Sequence, residues 1–265
     1  MKRAKTRKKA GESLHPAAVA LALVLVFGIL FHDRIVDRVY ALRHTAPAIA
    51  SPDNAQLQFD AGTYFLNTRS SNYDLGRAEK YLKRAVRANP SFPYVHHELA
   101  RVYFLNGDFD AAELHATIEI QNHGDESPRA YYVRGLVRGF QGDYEGAVFD
   151  YAQYLKFDPH NWAAINDYAW VLLKSEHFEE AIIASARGLQ FFPDNAWLLS
   201  TNSVALAEQG YAGPARAQAE AAVVAAQKVT EEEWLKAYPG NDPRIASDGV
   251  AALRSATELN AQMLR

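Results

Sequence analysis

Histidine is the residue of this sequence best suited to bind a metal ion or to transfer protons, and the chain has nine. The densest group is His96-His97-Glu98, with His115 further along the chain. Neighbouring residues on a helix point about 100° apart, so adjacent side chains cannot easily share one ion. The sequence also lacks H-E-x-x-H, the spacing with which a helix presents two histidines to zinc. We therefore predict no metal site.

Motifs for nucleophilic catalysis and phosphate binding are missing too. The chain has no cysteine, which excludes disulfides, thiolate zinc sites and cysteine nucleophiles. It contains no G-x-S-x-G elbow and no glycine-rich phosphate loop. Paired carboxylates such as Glu179-Glu180 stand at predicted helix starts, where the helix dipole stabilises negative charge. The sequence thus predicts no catalytic residue, no cofactor and no enzymatic activity.

An internal repeat supplies the elements that would position any binding residue. Alanine recurs with spacings of 34 or 35 residues, at Ala78, Ala112, Ala147, Ala181 and Ala215. Five residues before these alanines stand the predicted turn residues Tyr73, Gly107, Gly142, Glu176 and Gly210. Twelve residues after them stand the predicted helix stops Pro90, Gly124, Pro159, Pro193 and Gln227.

This pattern resembles the tetratricopeptide repeat (TPR), a helix–turn–helix unit of 34 residues. The clearest copies are residues 106–114, 141–159 and 176–193, and the resemblance covers about residues 55–228. It implies an all-α fold, a right-handed α-solenoid of about five TPR units. Small residues should mark the helix crossings, because only they allow close approach. In the first helices of the units these are Ala100, Gly135, Ala169 and Ser203.

Three features depart from the repeat pattern. Repeat one has four extra residues within 67–74, at its hairpin turn. In repeat three, Arg138 occupies a position where the family prefers an aromatic residue. The fifth repeat is degenerate, since Ala212 replaces the bulky residue that follows the turn in the other units.

The N-terminal segment predicts a membrane anchor. Residues 1–13 carry six basic residues against one acid, and residues 17–31 are uninterruptedly apolar. We assign residues 1–13 to a basic cytoplasmic tail, 14–31 to a transmembrane signal anchor, and 32–54 to a juxtamembrane helix and linker. The positive-inside rule then places the TPR region outside the cytoplasm. The remainder of the chain is acidic, so no nucleic-acid partner is expected.

The apolar segment has two other interpretations, a cleavable signal peptide and a buried core helix. A cleavable signal peptide needs small residues just after the apolar run, but Phe31, His32 and Asp33 stand there. A buried core helix is disfavoured by the basic residues next to it. An uncleaved anchor is the interpretation that the sequence favours.

Residues 229–265 are predicted to form C-terminal capping helices. Thr230 and Glu233 have the spacing of a capping box, and Asp242-Pro243 is a typical helix start. An exposed solenoid end needs such a cap with a polar outer face. The last helix could also dock a partner.

The resemblance further implies that first helices line a concave, partner-binding surface. Its candidate residues are His97, Arg101, Phe104, Arg129, Tyr132, Phe140, Asn166, Trp170, Lys174 and Trp197. Such a set suits an extended peptide, since rings cover apolar side chains while Asn166 bonds the peptide backbone. Some of these aromatic residues could instead belong to the core between repeats. Phe59 and Thr63 occupy the slots of the family's carboxylate clamp, so capture of a C-terminal carboxylate is not expected.

The function predicted from the sequence is that of a membrane-anchored TPR scaffold or adaptor that binds a protein or peptide partner. The alternative is a regulatory or targeting subunit of a membrane-bound enzyme complex. A purely structural spacer is the third possibility, and it would need no exposed aromatic residues. The sequence does not determine the partner or the oligomeric state.

Overall fold

The computed structural model describes residues 36–68, 72–237 and 241–264. The chain divides into two compact units, Met1–Ala46 and Pro47–Arg265. The predicted basic tail and transmembrane segment, residues 1–13 and 14–31, lie outside the described residues. Among the helices that the structure does describe, none combines the length and the apolar character needed to span a bilayer.

Residues 36–50 are helical and are labelled α1. Residues 43–54, whose two prolines predict the linker part of the segment 32–54, are thus helical as far as residue 50. Alanine, the strongest helix former, is frequent in the segment. Ala48 is fully buried in a hydrophobic cluster with residues of the next three helices, so its packing outweighs the helix-breaking tendency of Pro47.

The described residues of the second unit contain helices and no β-strand. The helices are α2 (Ala55–Phe65), α3 (Leu75–Ala88), α4 (Val95–Leu105), α5 (Phe109–His123), α6 (Arg129–Gln141), α7 (Tyr144–Phe157), α8 (Trp162–Lys174), α9 (Phe178–Phe191), α10 (Ala196–Glu208), α11 (Ala212–Lys228), α12 (Glu231–Ala237) and α13 (Ala246–Met263). Short 3₁₀ helices cover Gly124–Glu126 and Pro243–Ile245.

Helices α2 to α11 pack as five consecutive hairpins, each formed by two neighbours in sequence. The first helices of successive hairpins also contact one another, α4 with α6, α6 with α8, and α8 with α10. This is the all-helical, TPR-like solenoid that the repeat predicted, and small residues permit its packing. The alanines of the repeat, Ala78, Ala112, Ala147, Ala181 and Ala215, are all fully buried. At Gly135 a Cβ atom would lie only 3.2 Å from the ring of Tyr151, so no larger residue fits without a shift.

The predicted turn positions adopt the left-handed backbone conformation. Gly107, Gly142 and Gly210 have φ angles of 76°, 86° and 81°. Glu176 fills the same position of repeat four with φ of 64°, although it carries a side chain. A left-handed residue ends one helix so that the next can return antiparallel to it. Repeat one uses a longer turn instead.

Helix α4 receives its N-terminal cap from another helix. Tyr94 precedes it with φ of 63° and provides no side-chain cap. The carboxylate of Glu119, fully buried on α5, accepts hydrogen bonds from the backbone N–H groups of Tyr94 (2.8 Å) and His97 (3.2 Å). These bonds satisfy donors that a helix start leaves without partners.

Arg138, the arginine at an aromatic position of the repeat, belongs to a buried ionic cluster. It donates to Glu113 on α5 (2.8 Å) and to Asp150 on α7 (3.0 Å). Arg134 forms a bidentate pair with the same aspartate, at 2.7 and 2.9 Å. The cluster ties together three consecutive helices, which explains why a cation replaces the ring here.

The C-terminal helices close the end of the solenoid. Thr230 and Glu233 form the predicted capping box of α12, in which each side chain bonds the other residue's backbone N–H. Helix α13 packs against α10, α11 and α12. Trp234 of α12 is buried in a cluster with residues of α10, α11 and α13.

Candidate peptide-binding groove

A groove of about 1000 Å³ opens in the second unit along one face of the hairpins. Its walls come from the first helices of repeats two to five, α4, α6, α8 and α10, and from α12 and α13. We call it the concave groove. Its central lining is formed by Glu98, Arg101, Tyr132, Asn166, Asp167, Trp170, Trp197, Thr201 and Leu253.

Nine of the ten residues predicted to bind a partner line this groove. They are His97, Arg101, Phe104, Arg129, Tyr132, Phe140, Asn166, Trp170 and Trp197. The tenth, Lys174, does not line it. Lys174 is exposed at the end of α8, where its ammonium lies 5.9 Å from the ring centroid of Trp170.

The aromatic rings of the groove differ in how accessible they are. Phe140 is 66% exposed and Trp170 is 40% exposed, so both present ring surface to a ligand. Tyr132 contacts Tyr154 of the paired helix with ring centroids 5.1 Å apart, and Trp197 lies 5.0 Å from Trp162 of the preceding repeat. These two rings therefore join the packing between helices and also line the groove.

Hydrogen bonds connect the first helices of three successive repeats across the groove floor. The hydroxyl of Tyr132 on α6 donates to Oδ2 of Asp167 on α8, at 2.9 Å. The hydroxyl of Thr201 on α10 donates to Oδ1 of Asn166, at 2.8 Å. The carbonyl of Asn166 is thus engaged within the protein, and its amide group also bonds the neighbouring Asp167, so at most one amide hydrogen serves the predicted backbone contact.

Asp167 is an acidic residue of the groove that is not among the partner-binding residues predicted from the sequence. Burial raises its pKa to about 6, although hydrogen bonds from Tyr132 and Asn166 oppose the shift. None of the ion pairs among the described residues involves this carboxylate. The arrangement holds one negative charge among aromatic rings on the groove floor.

Several other ionisable groups of the groove are paired or uncharged. Arg101 is paired with Glu98 at 2.6 Å. Lys236 at the rim is paired with Glu232 at 3.0 Å. His97 is buried, and burial lowers its pKa, so its imidazole is uncharged at neutral pH.

The C-terminal helices form a wall of the groove that the sequence analysis did not assign. Gly249, Ala252, Leu253 and Ala256 of α13 line it, together with Trp234 of α12. Most of these residues are small, and they recur along one face of the predicted last helix. Because this helix lies outside the repeats, matching it to the other units could not assign that face to the groove. Helix α13 thus continues the row of first helices beyond repeat five.

The histidine group is engaged in packing within the second unit. No cluster of three metal-binding side chains occurs within the described ranges. His96 and His115 share a hydrogen bond between their Nδ1 atoms, at 2.7 Å. Burial, with His96 and Lys83 nearby, lowers the pKa of His115 to about 4, so the pair is uncharged at neutral pH. These side chains join α4 and α5, the two helices of repeat two.

Comparisons with known proteins agree with the repeat assignment. The tetratricopeptide-repeat family matches residues 71–118 and 141–198. The solved structure of YrrB, "a TPR protein with an unusual peptide-binding site", is 15% identical; the match covers 71% of this chain and 94% of YrrB, with a TM-score of 0.61. A MamA structure is 16% identical and matches over 72% of this chain and 97% of its own, with a TM-score of 0.57. A further MamA structure, from AMB-1, is 18% identical over 70% of this chain and 97% of its own, with a TM-score of 0.56. No curated protein matched the sequence.

Proposed function

Since the chain carries tetratricopeptide repeats, we propose that it is a membrane-anchored scaffold or adaptor that binds a peptide or partner protein in the concave groove. The main support for this proposal is the concave groove. It is large enough for an extended peptide, and it combines exposed rings with polar groups on rigid helices. YrrB is described as having a peptide-binding site, but at 15% identity that likeness supports the fold alone.

The binding residues proposed are those that line the groove with accessible surface or polar groups. Phe140 and Trp170 provide ring faces for apolar side chains. Arg129 at the start of α6 is exposed and offers a guanidinium to a carbonyl or carboxylate of the partner. The helices hold these groups in place before the peptide arrives, which reduces the entropy lost on binding.

The binding proposal is tested by affinity capture from a detergent extract with two matched double variants of the full chain. Arg101→Ala with Asn166→Ala alters the groove. Leu114→Ala with Phe149→Ala removes two side chains that are exposed on α5 and α7 and do not line it. Proteins captured by the unaltered chain should be retained by the second variant and lost from the first, while both variants keep a cooperative thermal melt. The opposite pattern would show that the partner binds elsewhere.

The anchoring part of the proposal rests on the sequence of residues 1–31. Its test is separate: the full chain should stay in membranes washed with alkaline carbonate, and a chain lacking residues 14–31 should be released. The basic residues before the apolar segment predict a cytoplasmic N-terminus, which places the TPR region on the non-cytoplasmic side. With the anchor intact, a protease that cannot cross the membrane should therefore digest the TPR region when it is added to that side. Protection of that region from such protease would contradict the proposed orientation.

A further inference from the structure

The carboxylate of Asp167 lies on the floor of a groove whose neighbouring side chains do not neutralise it. Tyr132 donates to one of its oxygens at 2.9 Å. Two cations of the groove are paired with other acids, Arg101 with Glu98 and Lys236 with Glu232, and Arg129, which also lines it, is exposed and forms no ion pair with Asp167. Asp167 is partly buried and accepts hydrogen bonds from Tyr132 and Asn166, but no cation among the described residues is paired with it. A cation beside a partly buried carboxylate adds a charge-assisted hydrogen bond, so the site favours a positively charged ligand group.

The surroundings of Asp167 suit a cation that arrives on a flexible apolar stem. Trp170 follows three residues later on α8, Trp197 lies on the next first helix, and both line the same groove. An aromatic face attracts a cation, and the same face packs against the methylene groups of a long side chain. Lysine and arginine have both parts, a methylene stem and a charged end.

Other ligand charges fit the groove floor less well. An acidic side chain would place a second negative charge beside Asp167, and Asp158 also lines the groove. An uncharged polar side chain could bond Asp167 but would leave its charge unneutralised. The hydrogen bonds from Tyr132 and Asn166 hold the carboxylate in place and leave some of its acceptor sites for the ligand.

From this arrangement we propose that the concave groove recognises a cationic group of the bound peptide, a lysine or arginine side chain, through the carboxylate of Asp167. The inference rests on the proposed function and specifies its partner as a peptide with a basic residue flanked by apolar ones. The cation donates a charge-assisted hydrogen bond to Asp167 while its stem packs on the rings of Trp170 and Trp197.

The test uses the full chain in detergent micelles and a phage-displayed library of random nonapeptides as the probe. Four forms are compared: the unaltered chain, Asp167→Asn, Trp170→Ala, and Glu220→Gln as a control. Glu220 is exposed on α11 and does not line the groove. Pools selected on the unaltered chain and on Glu220→Gln should be enriched in lysine or arginine at one position between apolar residues. Selection on Asp167→Asn should lose that enrichment.

Synthetic peptides from the enriched pool then give the affinity. Asp167→Asn should weaken binding of the basic peptide about tenfold or more, and should leave unchanged the affinity for the same peptide with glutamine at the basic position. Acetylation of the peptide's N-terminus separates a side-chain cation from the terminal amine. If binding depends on the free amine instead of the side chain, the side-chain proposal is wrong.

The two proposals fail in different ways. Enrichment in acidic residues, or a basic preference that survives Asp167→Asn, would overturn the role of Asp167. In that case peptide selection would still depend on Trp170, and the groove would remain the binding site. Selection that survives Trp170→Ala unchanged, or a library that yields no binder, would contradict the proposed function as well.

Discussion

Tyr132 and Asp167 are joined by a 2.9 Å hydrogen bond from the phenol to the carboxylate, although they are 35 residues apart. A similar bond lies one repeat further along, where the hydroxyl of Thr201 donates to the side-chain carbonyl of Asn166, again across 35 residues. Each bond joins the first helix of one hairpin to the first helix of the next. The floor of the concave groove is thus held together by polar groups that also line the proposed binding surface, so a substitution there changes both its chemistry and its shape.

The raised pKa of Asp167 predicts that this residue reduces stability at neutral pH. Its carboxyl binds a proton more tightly in the folded chain, where the pKa is about 6, than at its ordinary value of 3.8. Ionisation therefore lowers the free energy of unfolding progressively as pH rises from about 4 through 6, and the full loss is present above 6. Asp167→Asn removes the charge and keeps an acceptor for Tyr132. We expect a higher Tm for this variant at pH 7.5, with a smaller difference at pH 4.5.

The control for this experiment is Glu220→Gln, an exposed acid on α11, which should change Tm equally little at both pH values. Because each variant is compared with the unaltered chain at the same pH, the titration of His96, His97 and His115 cancels. The quantity to compare is the difference in Tm between the variant and the unaltered chain at each pH. If Asp167→Asn lowers Tm at pH 7.5 more than at pH 4.5, the carboxylate stabilises the fold and the prediction is wrong.

The repeat register predicts that the buried alanines do not tolerate larger residues. Ala147 and Ala181 are fully buried where the helices of a hairpin cross. Replacing either with leucine should reduce the free energy of unfolding by about 1–3 kcal/mol, because added methylenes overpack the contact. Ala217 on α11 is exposed and is the matched control, so Ala217→Leu should leave the denaturation midpoint unchanged. Equal midpoints in all three variants would mean that the register is wrong.

Glu176 is a position where glycine should be better than the natural residue. Its φ of 64° places it in the left-handed region, which costs a residue with a Cβ atom roughly 1 kcal/mol. Glu176→Gly should therefore raise stability by about that amount in chemical denaturation. The same substitution at Glu180, inside α9, should lower stability by up to about 1 kcal/mol because glycine is a poor helix former. Loss of stability at both positions would contradict the proposed turn.

The ionic cluster of repeat three predicts a large effect at Asp150. This side chain is fully buried and pairs with both Arg134 and Arg138. Asp150→Asn leaves the buried Arg134 without a counter-charge and Arg138 with its more exposed partner Glu113, so we expect a loss of about 3–5 kcal/mol in the free energy of unfolding. Glu113, whose side chain is 32% exposed, is the comparison. Glu113→Gln should cost less than about 1 kcal/mol, and a similar small loss for Asp150→Asn would show that the cluster is dispensable.

The repeat units and their register could be predicted because they depend on residues close together in the chain. The left-handed turns at Gly107, Gly142 and Gly210 and the capping box at Thr230 act within a few residues, and the alanine at a fixed distance from each turn marks the unit. Since adjacent units resemble one another, the first helices could also be matched, which is why most of the predicted groove residues lie together.

What the sequence did not reveal depends on contacts between distant residues. The ion pair of Arg138 with Glu113 spans 25 residues, and the cap that Glu119 provides for α4 spans a similar distance. Helix α1 extends past Pro47 because Ala48 is buried by other helices. The charge on the groove floor was missed because nothing local distinguishes Asp167 from an exposed acid until Tyr132 is placed beside it.

The central claim is that the concave groove binds the partner, and site-specific photo-crosslinking in membranes tests it most directly. Phe140 lines the groove and is 66% exposed, whereas Phe149 is 54% exposed on α7 and does not line it. p-Benzoylphenylalanine in place of either residue is a small change from phenylalanine and reports contacts within a few ångströms. Irradiation should yield a crosslinked partner from position 140 and none from position 149. Crosslinking from position 149 alone would contradict the account.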